Sequence, residues 1–88
     1  GEEFVLALPA TTLAQAVEAA ARLREAVAGH DWSTVAPALR VTVSIGVAAS
    51  DSPGSALAGD SLLAAADRHL YAAKRSGRNR VAAEAAVP

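Results

Sequence analysis

Two clusters of residues in this chain of 88 have types and spacings that could do chemistry. At the start, Gly1 is followed directly by Glu2 and Glu3. A glycine lets the backbone come close to a ligand. A carboxylate beside it is an oxygen donor of the kind hard Mg2+ prefers, usually through one or two carboxylates with phosphate oxygens completing the shell. Taken alone, two adjacent glutamates read more simply as solvated charges, because charge runs usually face water. Toward the other end, Lys74, Arg75, Arg78 and Arg80 crowd one stretch. Lys74 and Arg78 stand four apart across the end of a helical pattern, so both can point toward one anion. The plainer reading is that cations near a helix C-terminus complement its dipole, for about 0.3–1 kcal/mol. Gly77 bears on that choice. A glycine at the helix stop, followed by an Arg-Asn turn, would hold the Arg78 guanidinium in place instead of leaving it on a mobile helix face, with Asn79 structural.

The remaining polar candidates carry less. Arg22 follows Glu18 by four residues, the spacing of a helix-surface ion pair worth a few tenths of a kcal/mol. His30 falls in a connector and His69 on a helix flank, and neither has a metal-ligand partner at useful spacing.

The elements that must position these residues follow from periodicity. Phe4-Val5-Leu6-Ala7-Leu8, stopped by Pro9, suits a strand buried on both faces. From an N-cap at Thr11 or Thr12, the residues Leu13, Ala16, Val17, Ala20, Leu23 and Val27 recur at three and four, with Gln15, Glu18, Arg22 and Glu25 opposite. This predicts an amphipathic helix ending near Gly29. Residues 30–40 have no clean period and read as a connector in which Trp32 caps the core. Residues 41–48 alternate β-branched and small polar residues, the period of a half-buried strand, with Gly46 admitting a bulge or a close neighbour. A turn-rich loop over 49–59 leads to a second helix, capped by Asp60 or Ser61. Its apolar stripe is Leu62, Ala66, Leu70 and Ala73, with Ala65 and His69 beside it. Residues 80–83 form a weak last strand. The order β-α-β-α-β implies an α/β or split α+β sheet with helices packed against it.

Composition bounds the rest. A chain of 88 residues, 52% apolar and with net charge -1, is one small globular unit. Its apolar content is mostly alanine and its aromatics are only Phe4, Trp32 and Tyr71, so the core is expected to be thin. With no cysteine, disulfides and thiolate metal sites are excluded. The charge balance argues against a nucleic-acid binder driven by bulk electrostatics, and no run of about 18 apolar residues is present. Gly1 is neither an initiator methionine nor part of a signal peptide, so the N-terminus reads as truncated.

Three separated motifs together resemble the GGDEF family, the catalytic domain of diguanylate cyclases, in order and spacing. They are Gly1-Glu2-Glu3-Phe4 heading a strand, Thr42-Val43-Ser44-Ile45-Gly46-Val47-Ala48, and the stretch from Ala66-Asp67 through Leu70-Tyr71 and Ala73-Lys74 to Gly77-Arg78-Asn79-Arg80. The resemblance spans nearly the whole chain. It implies that 1–83 is the C-terminal part of such a domain, beginning at the second glycine of the signature, with 84–88 an Ala-rich tail. The implied fold is a partial ferredoxin-like nucleotidyl-cyclase palm, with a central strand expected in the missing N-terminal half.

By the same resemblance, Gly1 and Glu2 sit in the signature turn, with Glu2 at the metal-binding position. Glu3 is a further metal residue or a support of the turn. Lys74 and Arg78 match positions that bind substrate phosphates, Arg22 matches an auxiliary arginine of an inhibitory product site, and Asp67 and Tyr71 match structural positions: a capping or salt-bridging carboxylate, and a core ring with a wet hydroxyl. The implied activity is condensation of two GTP into cyclic di-GMP with release of pyrophosphate. It would use two Mg2+ per site, or Mn2+, in a homodimer of domains on the cytoplasmic side, with membrane attachment only through absent N-terminal regions. The fragment alone is expected to be inactive and marginally stable. Two alternatives stand beside this: a degenerate module that binds GTP or cyclic di-GMP to regulate an attached phosphodiesterase or sensor, and an unrelated small α/β interaction module.

Overall fold

The computed structural model describes residues 11–49 and 59–83, with 59–61 as backbone alone. The expected first strand over Phe4–Leu8 and the Ala-rich tail lie outside the described residues. Helix α1 spans Leu13–Gly29. Of the two threonines it is Thr12 that caps it. Its Oγ1 accepts from the Gln15 N–H at 3.1 Å while the Gln15 side chain accepts from the Thr12 N–H at 2.9 Å, so two otherwise unpaired donors of the first turn are satisfied reciprocally. At the other end the Trp32 indole donates to the Val27 carbonyl at 2.7 Å, and its ring lies 4.6 Å edge-on from His30. The expected role of Trp32 as a cap on the core is thereby corrected. The ring is half-buried and closes the C-terminus of α1, supplying a second donor to the Val27 carbonyl beside the His30 N–H at 3.4 Å. Residues Trp32–Thr34 make a single 3-10 turn, with Asp31 as its cap.

The inward face of α1 differs from the expected stripe at one position. Leu13, Ala16, Val17, Ala20 and Val27 are on the packed side, but Leu23 is 48% exposed and Arg24 takes the half-buried place instead. At 3.6 residues per turn, Leu13, Val17, Ala20, Arg24 and Val27 centre on one direction and Leu23 lies about 80° to its side, at the edge of the packed face.

Strand β1 spans Ile45–Val47 and strand β2 spans Val81–Ala83. They pair in parallel, Ile45 with Val81, Gly46 with Ala82 and Val47 with Ala83. Helix α2, Gly59–Arg75, connects them, so the described residues hold two helices on a two-stranded parallel sheet, an α+β piece consistent with a partial palm. The ladder is shorter than the alternating pattern of 41–48, because the residues that would extend β2 upstream are in a turn. Helix α2 also begins at Gly59, ahead of both expected caps, Asp60 and Ser61.

The expected stripe of α2 holds. Leu62, Ala65, Ala66, His69 and Leu70 are half-buried and Ala73 is fully buried. Gly46 is the position that permits this. A Cβ there would fall on the Ala66 carbonyl oxygen and the Leu70 nitrogen, and within 2.7 Å of Leu70 Cα, so the helix backbone lies directly on the strand. The alternative of a bulge at Gly46 is not seen, since the ladder runs through it unbroken. Among the described residues the buried side chains are Ala20, Val47, Ala49 and Ala73, which is the thin, small-residue core that the composition implies.

Candidate functional site

The described part of the site is the stretch from the last turn of α2 to the start of β2. Helix α2 closes with Lys74 and Arg75 in its last turn, where positive charge complements the carbonyl end of the helix. The chain then leaves the helix by a run of positive φ: 131° at Gly77, 63° at Arg78 and 48° at Asn79. The Arg78 N–H donates to the Ala73 carbonyl at 2.9 Å, spanning five residues, which is the longer hydrogen bond of a Schellman stop. Glycine at 77 is required by its φ. Asparagine tolerates the left-handed region because its short amide can bond locally, whereas arginine there is uncommon, at a cost on the order of 1–2 kcal/mol. Arg78 is therefore held in an unfavourable backbone state by its neighbours.

Those neighbours reach across the fold. The Asn79 N–H donates to Ser44 Oγ at 3.1 Å, just before β1, and the Asn79 carboxamide oxygen accepts from Arg24 Nη1 at 3.0 Å, from α1. The next residue joins the sheet, with the Ile45 N–H donating to the Arg80 carbonyl at 2.9 Å. The Arg80 side chain folds back, Nε donating to the Arg78 carbonyl at 3.0 Å. Asn79 is structural, as its place in the turn suggested, and Arg24 and Ser44 are the residues that the sequence reading passed over. The signal for Arg24 was present: a charged residue at the inward phase of an amphipathic helix. Ser44 carried no comparable signal.

The candidate residues are distributed as follows. Lys74 is half-buried on α2 and Arg78 is exposed two residues beyond its cap, so the pair flanks the helix end. Because Arg78 is not helical, the four-residue spacing does not place the two on one helix face, and it is the turn that sets where Arg78 stands. Arg22 is exposed on α1 and paired with Glu18, as the spacing suggested. Gly1, Glu2 and Glu3 lie outside the described residues. Among the described residues no group of three or more His, Cys, Asp or Glu could hold a metal ion, and no helix is long and apolar enough to cross a membrane. An open concavity of about 410 Å³ beside Asn79, bounded by His30, Trp32, Arg40 and Thr42 among others, includes neither Lys74 nor Arg78.

One expectation is corrected here. Tyr71 is no core ring: it is 60% exposed, because it falls out of phase with Leu70 and Ala73 on α2. Its hydroxyl accepts from Arg75 Nη1 at 3.0 Å, with the guanidinium 5.5 Å from the ring centre, a surface pair one turn apart. Asp67 is exposed and makes no ion pair with the described residues. Asp31 is held below the ordinary carboxylate value of 3.8 by hydrogen bonds from the Ser33 hydroxyl and then the Ser33 N–H, the latter at 3.1 Å.

Residues 1–80 match a protein family described as diguanylate cyclase, GGDEF domain. The chain is 46% identical over 89 residues to the response regulator PleD of Caulobacter vibrioides, covering 98% of this chain and 19% of that protein. It is 40% identical over 81 residues to the diguanylate cyclase DgcP of Pseudomonas aeruginosa, covering 92% of this chain and 12% of that one. To the diguanylate cyclase DgcM of Escherichia coli it is 46% identical over 83 residues, covering 94% of this chain and 19% of that protein. The chain thus spans a fifth or less of the length of these relatives, and no solved structure matches it.

Proposed function

The chain belongs to the GGDEF, diguanylate cyclase, family, and from that premise we propose that it forms the C-terminal part of a domain that condenses two GTP into cyclic di-GMP. The observation that carries this reading is the fixed turn after α2. It holds a cation, Arg78, in a sparsely populated backbone state beside Lys74 at the end of the helix. Residues held in sparsely populated backbone states cluster at active sites and ligand clamps, which supports a functional part for Arg78. Two cations in this arrangement suit the phosphates of GTP, where a guanidinium can bond two oxygens at once and an ammonium acts as a point charge. They would offset the charge that builds on the departing pyrophosphate.

Glu2, with Glu3 beside it, would hold Mg2+ or Mn2+. When bound, the metal supplies charge neutralisation at the phosphate oxygens. The chain's own part in the described region is to bind and orient phosphate. Two domains, each presenting one GTP, would meet for the reaction, on the cytoplasmic side. The central strand that the family resemblance implies ahead of Gly1 would be needed, so the 88-residue piece by itself would not turn over GTP.

The test is GTP turnover to cyclic di-GMP, with Mg2+, by the complete domain, its Glu2→Ala variant and the 88-residue piece. The expected result is activity in the complete domain, a loss of about 100-fold or more in Glu2→Ala, and none in the piece. A complete domain that binds GTP without turning it over would overturn the catalytic reading in favour of a regulatory one.

A further inference from the structure

We infer that Arg24 is a positioning residue for Arg78, acting through Asn79, an assignment that rests on Arg78 being a phosphate ligand. The chain of contacts is short. Arg24 Nη1 donates to Asn79 Oδ1 at 3.0 Å across 55 residues of sequence, and the Asn79 N–H donates to Ser44 Oγ at 3.1 Å across 35. Asn79 is thus tied by its side chain to α1 and by its backbone to the residue preceding β1. Arg78 is the residue immediately before it.

The backbone explains why such ties matter. Arg78 and Asn79 have φ of 63° and 48°, and arginine has no local hydrogen bond that favours this region. Relaxing either residue to negative φ would change the direction in which the Arg78 side chain leaves the turn. Besides the Ala73 carbonyl that Arg78 itself reaches, the Arg80 side chain that folds onto its carbonyl and the Ile45 N–H that donates to the Arg80 carbonyl, Arg24 and Ser44 anchor the turn. The placing of Arg24 fits an orienting part. Its side chain is 26% exposed on the inward face of α1, its Nη2 is 3.9 Å from Glu25, and the close bond goes to a neutral amide. A guanidinium is well suited to this, since its planar fork fixes direction more firmly than an ammonium. Asn79 is itself exposed, so water competes for the bond and the effect of losing it is moderate.

The experiment is a double-mutant cycle in the complete domain, read as affinity for Mg·GTP by titration calorimetry. Arg78→Ala is expected to weaken binding by about tenfold or more, the range for charge-assisted bonds to phosphate. Arg24→Met, which keeps an unbranched apolar stem and removes the donor, is expected to weaken it by about three- to tenfold. The double variant should bind no more weakly than Arg78→Ala alone, within about twofold, because Arg24 acts only through Arg78. A merely structural role for Arg24 would lower affinity by the same factor in both backgrounds, and that outcome overturns the proposal. So does wild-type affinity in Arg24→Met. Wild-type affinity in Arg78→Ala instead removes the phosphate reading itself, and the inference with it. Should Arg24→Met fail to fold, Arg24→Gln, a good helix former with a shorter side chain, carries the same comparison.

Discussion

The β1-α2-β2 unit and the α1-connector region are built by opposite means. In the first, backbone lies against backbone: Gly46 admits α2 onto β1, and Ala73 is fully buried. In the second, the ends are finished by side chains. Thr12 and Gln15 cap α1, Trp32 closes it, and Asp31 caps the turn that follows, while Leu23, Val35 and Leu39 stay exposed. Small residues bury little apolar area each, at about 25 cal/mol per Å², so the first unit depends on closeness of packing and tolerates no added volume. The second depends on individual hydrogen bonds worth about 1 kcal/mol apiece. Lys74 and Arg78 ride on the first unit. On the reading proposed above, in which these two bind phosphate, close backbone packing is the kind of support that holds such side chains in position.

The sharpest way to break the comparison is Gly46→Ala. The added methyl would meet the backbone of Ala66 and Leu70, neither of which can turn aside as a side chain would. The expected loss in the complete domain is about 3 kcal/mol, at the upper end of overpacking, measured by denaturant unfolding. On the proposed phosphate role of Lys74, which α2 carries, affinity for Mg·GTP should fall with it. A loss below about 1 kcal/mol would mean that helix and strand can separate cheaply, and the contrast between the two regions would collapse.

How far each region could be read from sequence follows the same division. Both helices were legible, because a stripe at three and four is a long repeated signal, and the stop at Gly77 was legible because positive φ requires glycine. The close approach at Gly46 was foreseen as one of two alternatives; the alternating pattern could not choose between them, and only the neighbouring helix decides. Tyr71 and Leu23 differ from expectation for separate reasons: the resemblance implies a core ring at Tyr71, which lies on the side of α2 away from Ala73, whereas Leu23 stands at the edge of the packed face of α1. Arg24 is the reverse case, a charged residue in phase. The ladder of β1 was overestimated because the length of a strand is set by its partner, and β2 begins only after the turn at 77–80. For the site, the sequence brought Lys74 and Arg78 to one helix end, but the bond from Arg24 to Asn79, 55 residues apart, belongs to the tertiary structure alone.

A smaller effect is expected at the start of α1. Thr12→Ala removes one half of the capping box and leaves the Gln15 N–H without its acceptor, at a cost of about 1 kcal/mol. The loss should be local. Amide exchange should quicken over the first turn of α1 while the amides of β1, α2 and β2 keep their protection. If protection falls equally in β1 and α2, the two regions unfold as one unit, and the contrast in how they are built has no counterpart in how they open.

The smallest effect concerns Asp31, and here the sign decides. Its carboxyl is held below 3.8 in the folded chain by the Ser33 hydroxyl and N–H. A carboxyl whose folded value is depressed adds stability that is present above its unfolded value and is lost as pH falls through the folded one. The wild type should therefore exceed Asp31→Asn slightly in Tm at neutral pH, with the gap closing below pH about 4 as the carboxyl takes up its proton. The group is fully exposed, so solvent screens the gain. A gap that persists unchanged to low pH would show that the asparagine disturbs the turn by its shape. A gap that widens on acidification would mean that Asp31 is destabilised by its surroundings, and the bonds from Ser33 could not then be what holds this end of the connector.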